Sequence, residues 1–363
     1  MTLRSLPDFP WDTIAAEAAL AAGHPDGLVD LSVGAPVDAT PPVVQQALAA
    51  ASNAPAYPAT AGTAELRVAF AQMMERRHGV VDIDESAVLP TVGSKELVAL
   101  LPFLLGIGQG DVVVVPELAY PTYAVGAQFV GADVVVSDAL TAAGPARVRL
   151  VWVNSPANPH GRVLPVDHLA KVVAWARERG AVVASDECYL DFGWDAQPVS
   201  VLHPGVCGGD TTGILALHSL SKRSNLAGYR AGFVTGERAL VRELLELRKH
   251  AGLIVPAPIQ TAMVAALDDD AHVEEQKERY AARRATLIGA FTAAGFRVDH
   301  SDGGIYLWVT RDEPGRETHR WLAQRGILTA PGDFYGAAGG RHVRVALTAT
   351  DDRVKAAVIR LGA

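Results

Sequence analysis

Short apolar runs alternate with polar turns along most of the chain. The runs at 28–33, 88–92, 112–115, 134–136, 150–153, 181–184, 214–217 and 231–235 read as strands. Apolar positions at helical spacing or helix-forming composition predict helices at 13–22, 41–51, 64–78, 97–105, 166–179 and 237–251. From residue 88 onward strands and helices take turns, which predicts an α/β fold with a mostly parallel central sheet and helices on both faces. Pro256 and Pro258 mark a joint. Beyond it, 269–294 reads as one long helix whose charged middle, 274–284, suits a solvated face. Strands at 296–298 and 305–309 flank Gly303 and Gly304, a helix covers 316–324, and 331–336 is a loop. Residues 342–348 alternate, so His342, Arg344 and Ala346 share one face of a strand. A last helix starts near Asp351. The expected division is a large domain, 31–255, and a smaller α+β domain made of the arm 1–30 and the segment 256–363.

Several runs end in polar turn chemistry. Gly93-Ser94-Lys95-Glu96 leads from a strand into a helix. Ser94 suits an N-cap, and the same helix start can hold an anion. The 150–153 run opens into Asn154-Ser155-Pro156-Ala157-Asn158-Pro159-His160-Gly161, and the 181–184 run into Ser185-Asp186-Glu187-Cys188-Tyr189. Asn158 and Asp186 then share the C-terminal edge of the sheet, where open parallel sheets bind ligands. A carboxylate there also suits a helix cap or an arginine partner. Gly34 lets the backbone approach a ligand or simply turns the chain. Tyr57 heads a small loop, 56–62, that reads as a surface turn.

The densest cluster of chemistry is Ser219-Leu220-Ser221-Lys222, with Arg230 eight residues on, set between two apolar runs. Burying an ammonium costs several kcal/mol, on the order of 3 or more, unless something compensates. Desolvation lowers a lysine pKa and makes the amine nucleophilic near neutral pH. Ser219, Ser221 and Arg230 are typical phosphate partners. The plain alternative is a polar loop whose lysine reaches water. Ser219 to Lys222 also spells S-x-x-K, but the Ser-Asp-Asn and Lys-Thr-Gly that a serine acyl-enzyme of that type needs are missing.

Net charge is −8 with no Lys/Arg run, which argues against a nucleic-acid or anionic-membrane surface. No apolar stretch is long enough to span a bilayer. Cys188 and Cys207 have no metal or redox spacing, so neither a metal site nor a structural disulfide is expected, and a cytoplasmic setting is. No Rossmann glycine fingerprint, P-loop or H-E-x-x-H occurs.

Taken in order, these loops resemble the pyridoxal 5'-phosphate-dependent aminotransferases of fold type I, the aspartate aminotransferase superfamily, from Gly34 to Arg344. The resemblance implies that Lys222 is the Schiff-base lysine. It places Ser94, the backbone of Lys95, Ser219 and Arg230 at the cofactor phosphate, Asp186 at the pyridine nitrogen, and Tyr189 and Asn158 at the phenolic oxygen. Tyr120 would stack on the ring, Arg344 would hold the substrate α-carboxylate, and Gly34 would border the substrate. Tyr57 would reach the phosphate of a neighbouring subunit, which implies a homodimer. His160 stands where the family has threonine, and the segment after Val136 is shorter than usual.

A closer resemblance is to succinyldiaminopimelate aminotransferases of the actinobacterial type. It rests on the motifs at 6–12, 30–38, 93–98 and 119–123. It implies amino-group exchange between glutamate and N-succinyl-2-amino-6-oxopimelate in lysine and diaminopimelate synthesis. Such a substrate needs a second positive group, and Lys95, next to Ser94 at the helix start, is the candidate reader of a distal carboxylate; the plain alternative is a solvated first-turn lysine. Within the fold, another acidic or aromatic aminotransferase or a β-carbon–sulfur lyase are the alternatives. A non-catalytic cofactor-binding regulator would carry an added DNA-binding segment, which residues 1–30 do not resemble.

Overall fold

The computed structural model describes residues 6–362; residues 1–5 of the expected arm lie outside it. Helix α1 (Ala15–Ala22), strand β1 (Val29–Asp30) and helices α2 (Pro42–Ala50) and α3 (Ala64–His78) lead into the sheet. Then follow β2 (Val88–Val92), α4 (Gly93–Leu104), β3 (Val112–Val115), α5 (Thr122–Val130), β4 (Asp133–Val136), β5 (Val148–Asn154), α6 (Val166–Glu178) and β6 (Val182–Asp186). The layer closes with α7 (Pro204–Cys207), β7 (Ile214–Ser219), α8 (Leu220–Arg223), β8 (Ala231–Gly236), α9 (Arg238–Ala251) and α10 (Ala257–Asp268). The second layer holds α11 (Ala271–Ala293), β9 (Arg297–Val298), β10 (Tyr306–Thr310), α12 (Gly315–Ala323), β11 (Ile327–Leu328), β12 (Ala330–Pro331), β13 (Val343–Ala346) and α13 (Asp351–Leu361).

Among the described residues, seven strands form the central sheet in the order β2-β8-β7-β6-β5-β3-β4. β7, β6, β5, β3 and β4 run parallel, whereas β8 is antiparallel to both β7 and β2. The sheet is therefore mostly parallel, and the 231–235 run is the strand that turns against it. One face packs Phe70, Met73, Val172 and Met263, and the other packs Leu97, Leu101, Tyr123 and Leu244. Coverage of both faces is why the strands read as unbroken apolar runs.

Packing moves the joint between the layers. The stretch after Pro256 forms α10, whose Ala262, Met263, Ala266 and Leu267 share one core with α2 and α3. The second layer accordingly begins near α11, later than the 255/256 division. β1, expected over 28–33, is a two-residue strand whose Val29 and Asp30 pair in parallel with Ile327 and Leu328 of β11. In the second layer β12-β13-β10-β9 form an antiparallel sheet.

Candidate active site

The C-terminal ends of β5, β6 and β7 open onto a cleft of about 440 Å³. Its walls include Gly34, Ser94, Lys95, Tyr120, Asn158, Asp186, Tyr189, Ser219, Lys222, Arg230 and Arg344. Every candidate read from the sequence lies there except Tyr57, which is 99% exposed in the single chain. Four of the cleft's side chains are cationic (Lys95, Lys222, Arg230 and Arg344) against one carboxylate, Asp186. An excess of cationic side chains around one cleft suits an anionic ligand.

Lys222 lies in the one-turn helix that follows β7. Its Nζ donates to the carbonyl oxygen of Gly34. Burial pushes its pKa down, which favours the nucleophilic free amine. Ser219 caps this turn, its Oγ accepting from the Ser221 N–H at 3.2 Å.

The start of α4 faces Arg230. The helix begins at Gly93, not near residue 97, so Ser94 sits in its first turn and is not the N-cap; Val92 holds that position without a side-chain cap. The free first-turn N–H groups of such a helix form an anion site. Gly93 has φ +69°, and a Cβ on it would lie 2.3 Å from Nη2 of Arg230. Glycine thus lets the guanidinium approach the backbone. Arg230 itself adopts the left-handed conformation, φ 57°, and its carbonyl accepts from the Gly93 N–H at 2.7 Å. The Cys188 thiol donates to Ser94 Oγ at 3.2 Å, and burial, with the Asp186 charge behind it, pushes that thiol's pKa well up.

Asp186 ends β6, 7% exposed. Its Oδ2 accepts from the Tyr123 hydroxyl at 2.7 Å and its Oδ1 from the Cys188 N–H at 3.2 Å. Asn154 at the end of β5 donates to the Asp186 carbonyl at 2.8 Å and accepts from the Asn158 N–H at 2.7 Å, tying the two loops together. Arg344 is 2% exposed, because its face of β13 packs against the Tyr306 and Tyr335 rings and against Asn158 of the first layer. Its guanidinium donates to Asn158 Oδ1 at 2.8 Å and to the Ser32 carbonyl at 2.5 Å.

Three residues that the sequence reading did not single out belong here. Tyr123 and Asn154 hold Asp186 and Asn158, and Tyr306 lies 3.2 Å, oxygen to oxygen, from Tyr189. The available signals were the second tyrosine of Tyr-Pro-Thr-Tyr, the first polar residue after the β5 run, and one tyrosine among aliphatic strand residues. The set fits pyridoxal phosphate. An uncapped helix start, Arg230 and two serines suit a phosphate, a buried amine suits an aldehyde, and a buried carboxylate suits a protonated ring nitrogen.

The family model for aminotransferase class I and II matches residues 26–361. The chain is 66% identical to a Mycobacterium tuberculosis protein named as a probable aminotransferase, over 98% of this chain and 85% of that one. It is 57% identical to the 4-dedimethylamino-4-oxo-anhydrotetracycline transaminase OxyQ of Streptomyces rimosus, over 99% and 100%. The solved N-succinyldiaminopimelate aminotransferase of Mycobacterium tuberculosis superposes with a TM-score of 0.86 at 28% identity, covering 96% of each chain. With the fold and the cleft, these likenesses show that the chain belongs to the class I and II aminotransferases, pyridoxal-phosphate-dependent enzymes of fold type I.

Proposed function

We propose that this aminotransferase moves an amino group between glutamate and N-succinyl-2-amino-6-oxopimelate, in a cytoplasmic homodimer serving lysine and diaminopimelate synthesis. The observation that carries this reading is a second substrate-facing cation. Arg344 is buried deep in the cleft, while Lys95 is exposed on its wall, with Nζ 5.4 Å from the Phe9 ring centroid and 6.0 Å from that of Tyr120. A guanidinium grips an α-carboxylate with two parallel hydrogen bonds. A lysine at a helix start is mildly unfavourable, by roughly 0.3–1 kcal/mol, and gains from an anionic partner. The two cations together suit a substrate with a carboxylate at each end. The solved neighbour named for N-succinyldiaminopimelate supports the same reading. Tyr57, left exposed in one chain, supports the dimer.

Bound pyridoxal phosphate supplies an electron sink for the charge left when the substrate Cα loses its proton. The chain does the rest in this reading. Ser94, Ser219, Arg230 and the α4 start hold the phosphate, and Tyr120 covers the ring. Asp186 holds a proton at the ring nitrogen, and Tyr189 and Asn158 meet the phenolic oxygen. Lys222, as free amine, takes the proton from Cα and returns it.

A second reading follows from the Streptomyces relative, whose name gives an oxo-anhydrotetracycline. Phe9, Trp11 and Tyr120 line the cleft and offer flat surfaces to a fused-ring acceptor. The deciding experiment is a panel of amino acceptors with wild type and Lys95→Met. The succinylated keto acid should be the best acceptor, and its efficiency should fall in the variant by about tenfold while a neutral keto acid holds. An equal fall for both acceptors, or a preference for fused-ring ketones, would overturn the reading.

A further inference from the structure

Tyr306 has no role in the assignments above, yet three of the assigned groups meet at it. It begins β10, in register with Ala346 of β13. Its hydroxyl lies 3.2 Å from that of Tyr189, with the two rings edge to face at 5.6 Å. The Arg344 guanidinium sits 3.9 Å over its ring. Gly34, whose carbonyl receives the Lys222 amine, has no room for a side chain, because a Cβ there would lie 2.1 Å from the Tyr306 oxygen. The α-carboxylate reader, the reactive amine and the phenol are thus packed around one side chain from the second layer.

Either hydroxyl of the pair can donate. Chemistry decides between them. An ionised phenolic oxygen on the cofactor is a stronger acceptor than a neutral tyrosine, so the Tyr189 proton goes to it and the Tyr189 lone pair is left to accept. A donor that is itself receiving a hydrogen bond donates more strongly. We propose that Tyr306 is a positioning residue of the transamination, its hydroxyl donating to Tyr189 so that the Tyr189 proton is aimed at the cofactor's phenolic oxygen, while its ring backs Arg344 at the substrate carboxylate. The proposal rests on the assignment of Tyr189 made under Proposed function.

Burial, then the neighbouring Tyr306, push the Tyr189 phenol well above its ordinary value, so Tyr189 keeps its proton near neutral pH. The charged or titratable groups facing the pair are Asp186 and Cys188 at the end of β6, Lys222 of α8, Arg344 of β13, and Tyr335.

The test compares Tyr306→Phe, Tyr306→Ala and Tyr189→Phe with wild type, all loaded with pyridoxal phosphate. The readouts are the pH titration of the cofactor's visible band and the half-reaction with glutamate, which does not depend on the acceptor. Without the Tyr306 hydroxyl, Tyr189 donates less strongly and the ionised oxygen is less stabilised. Tyr306→Phe should therefore move the titration midpoint up by about half a unit and lower kcat about threefold at unchanged KM. Tyr306→Ala, which also removes the ring from Arg344, should in addition raise KM about fivefold. A Tyr306→Phe titration identical to wild type, beside a shifted Tyr189→Phe, overturns the proposal alone. An unmoved Tyr189→Phe instead defeats the Tyr189 assignment beneath it. Equal KM in the Phe and Ala variants, or a lower melting temperature in both with no shift of the titration, marks Tyr306 as structural and also overturns it.

Discussion

The Tyr123 hydroxyl donates to Asp186 Oδ2 across 2.7 Å, from the first turn of α5 to the end of β6. Tyr123 is fully buried and stacks on Trp152, ring centroids 4.6 Å apart. Burial, and then the charge of Asp186, push its phenol well above the ordinary range, so it stays a donor. One Asp186 oxygen is thereby committed to Tyr123 and the other to the Cys188 N–H, which fixes the plane of the carboxylate.

Replacing Tyr123 by Phe keeps the stack on Trp152 and removes that donor. The rate of Cα proton removal from glutamate in single turnovers should fall about tenfold, the scale of one hydrogen bond to a charged group. Asp186→Ala should lower it further. An unchanged rate in Tyr123→Phe would show that the bond does not tune the carboxylate.

Lys222→Ala should abolish covalent retention of the cofactor. Borohydride treatment of wild-type protein loaded with pyridoxal phosphate should leave a labelled peptide containing Lys222, and the variant should leave none. Label on another lysine would refute the assignment. The variant should still bind the cofactor reversibly, because Ser94, Ser219, Arg230 and Asp186 remain.

At Gly34 the space is already filled. Gly34→Ala places a methyl group 2.1 Å from the Tyr306 oxygen, so the backbone or the tyrosine must move. Overpacking of this kind costs about 1–3 kcal/mol, and it also displaces the carbonyl that receives Lys222. Denaturant melts should show the loss, and adding Tyr306→Phe, which removes the oxygen but leaves ring carbons 2.7 and 2.8 Å away, should recover part of it. A double mutant no more stable than Gly34→Ala would count against this packing account.

The start of α4 is anchored from behind. Arg248 of α9, 0% exposed, donates to both oxygens of Glu96, at 2.5 and 3.1 Å, and Glu96 Oε1 accepts from the Val92 N–H at 3.1 Å. Arg248→Leu leaves a half-buried carboxylate unpaired and should cost about 3 kcal/mol in urea unfolding. Since the same turn borders Ser94 and Arg230, the dissociation constant for pyridoxal phosphate should rise with it. Weakened stability with unchanged cofactor affinity would separate the anchor from the phosphate site.

Acid sensitivity has a legible source in His319 of α12, 1% exposed, which burial pushes down to about 4. Between that value and the ordinary 6.5 the unfolded chain takes up a proton that the folded chain refuses. Stability is therefore full above about pH 6.5 and declines as pH falls toward 4, by at most about 3 kcal/mol from this residue. In His319→Gln, unfolding free energies should fall less steeply over that window. Parallel profiles for variant and wild type would exclude His319 as a source.

The sequence by itself determined the α/β alternation, the placing of polar turns at strand ends and the chemistry of those turns. These are local properties: a strand buried on both faces must read as an apolar run, and a reactive amine between two such runs stands out. That is why Lys222, Asp186, Asn158, Ser94 and Arg230 were legible, and why they share one cleft. Tertiary structure alone decided what depends on distant partners. β8 runs antiparallel because it pairs with β2 and β7, and its own residues suit either direction. α10 belongs to the first layer because its small face fits α2 and α3. Arg344 alternates like a half-exposed strand residue, yet covering layers bury it. Tyr123 and Tyr306 read as ordinary aromatics until the fold brings Asp186, 63 residues away, and Tyr189, 117 residues away, to their hydroxyls. A polar handle on a buried ring must find a partner, and only the packed chain determines which one.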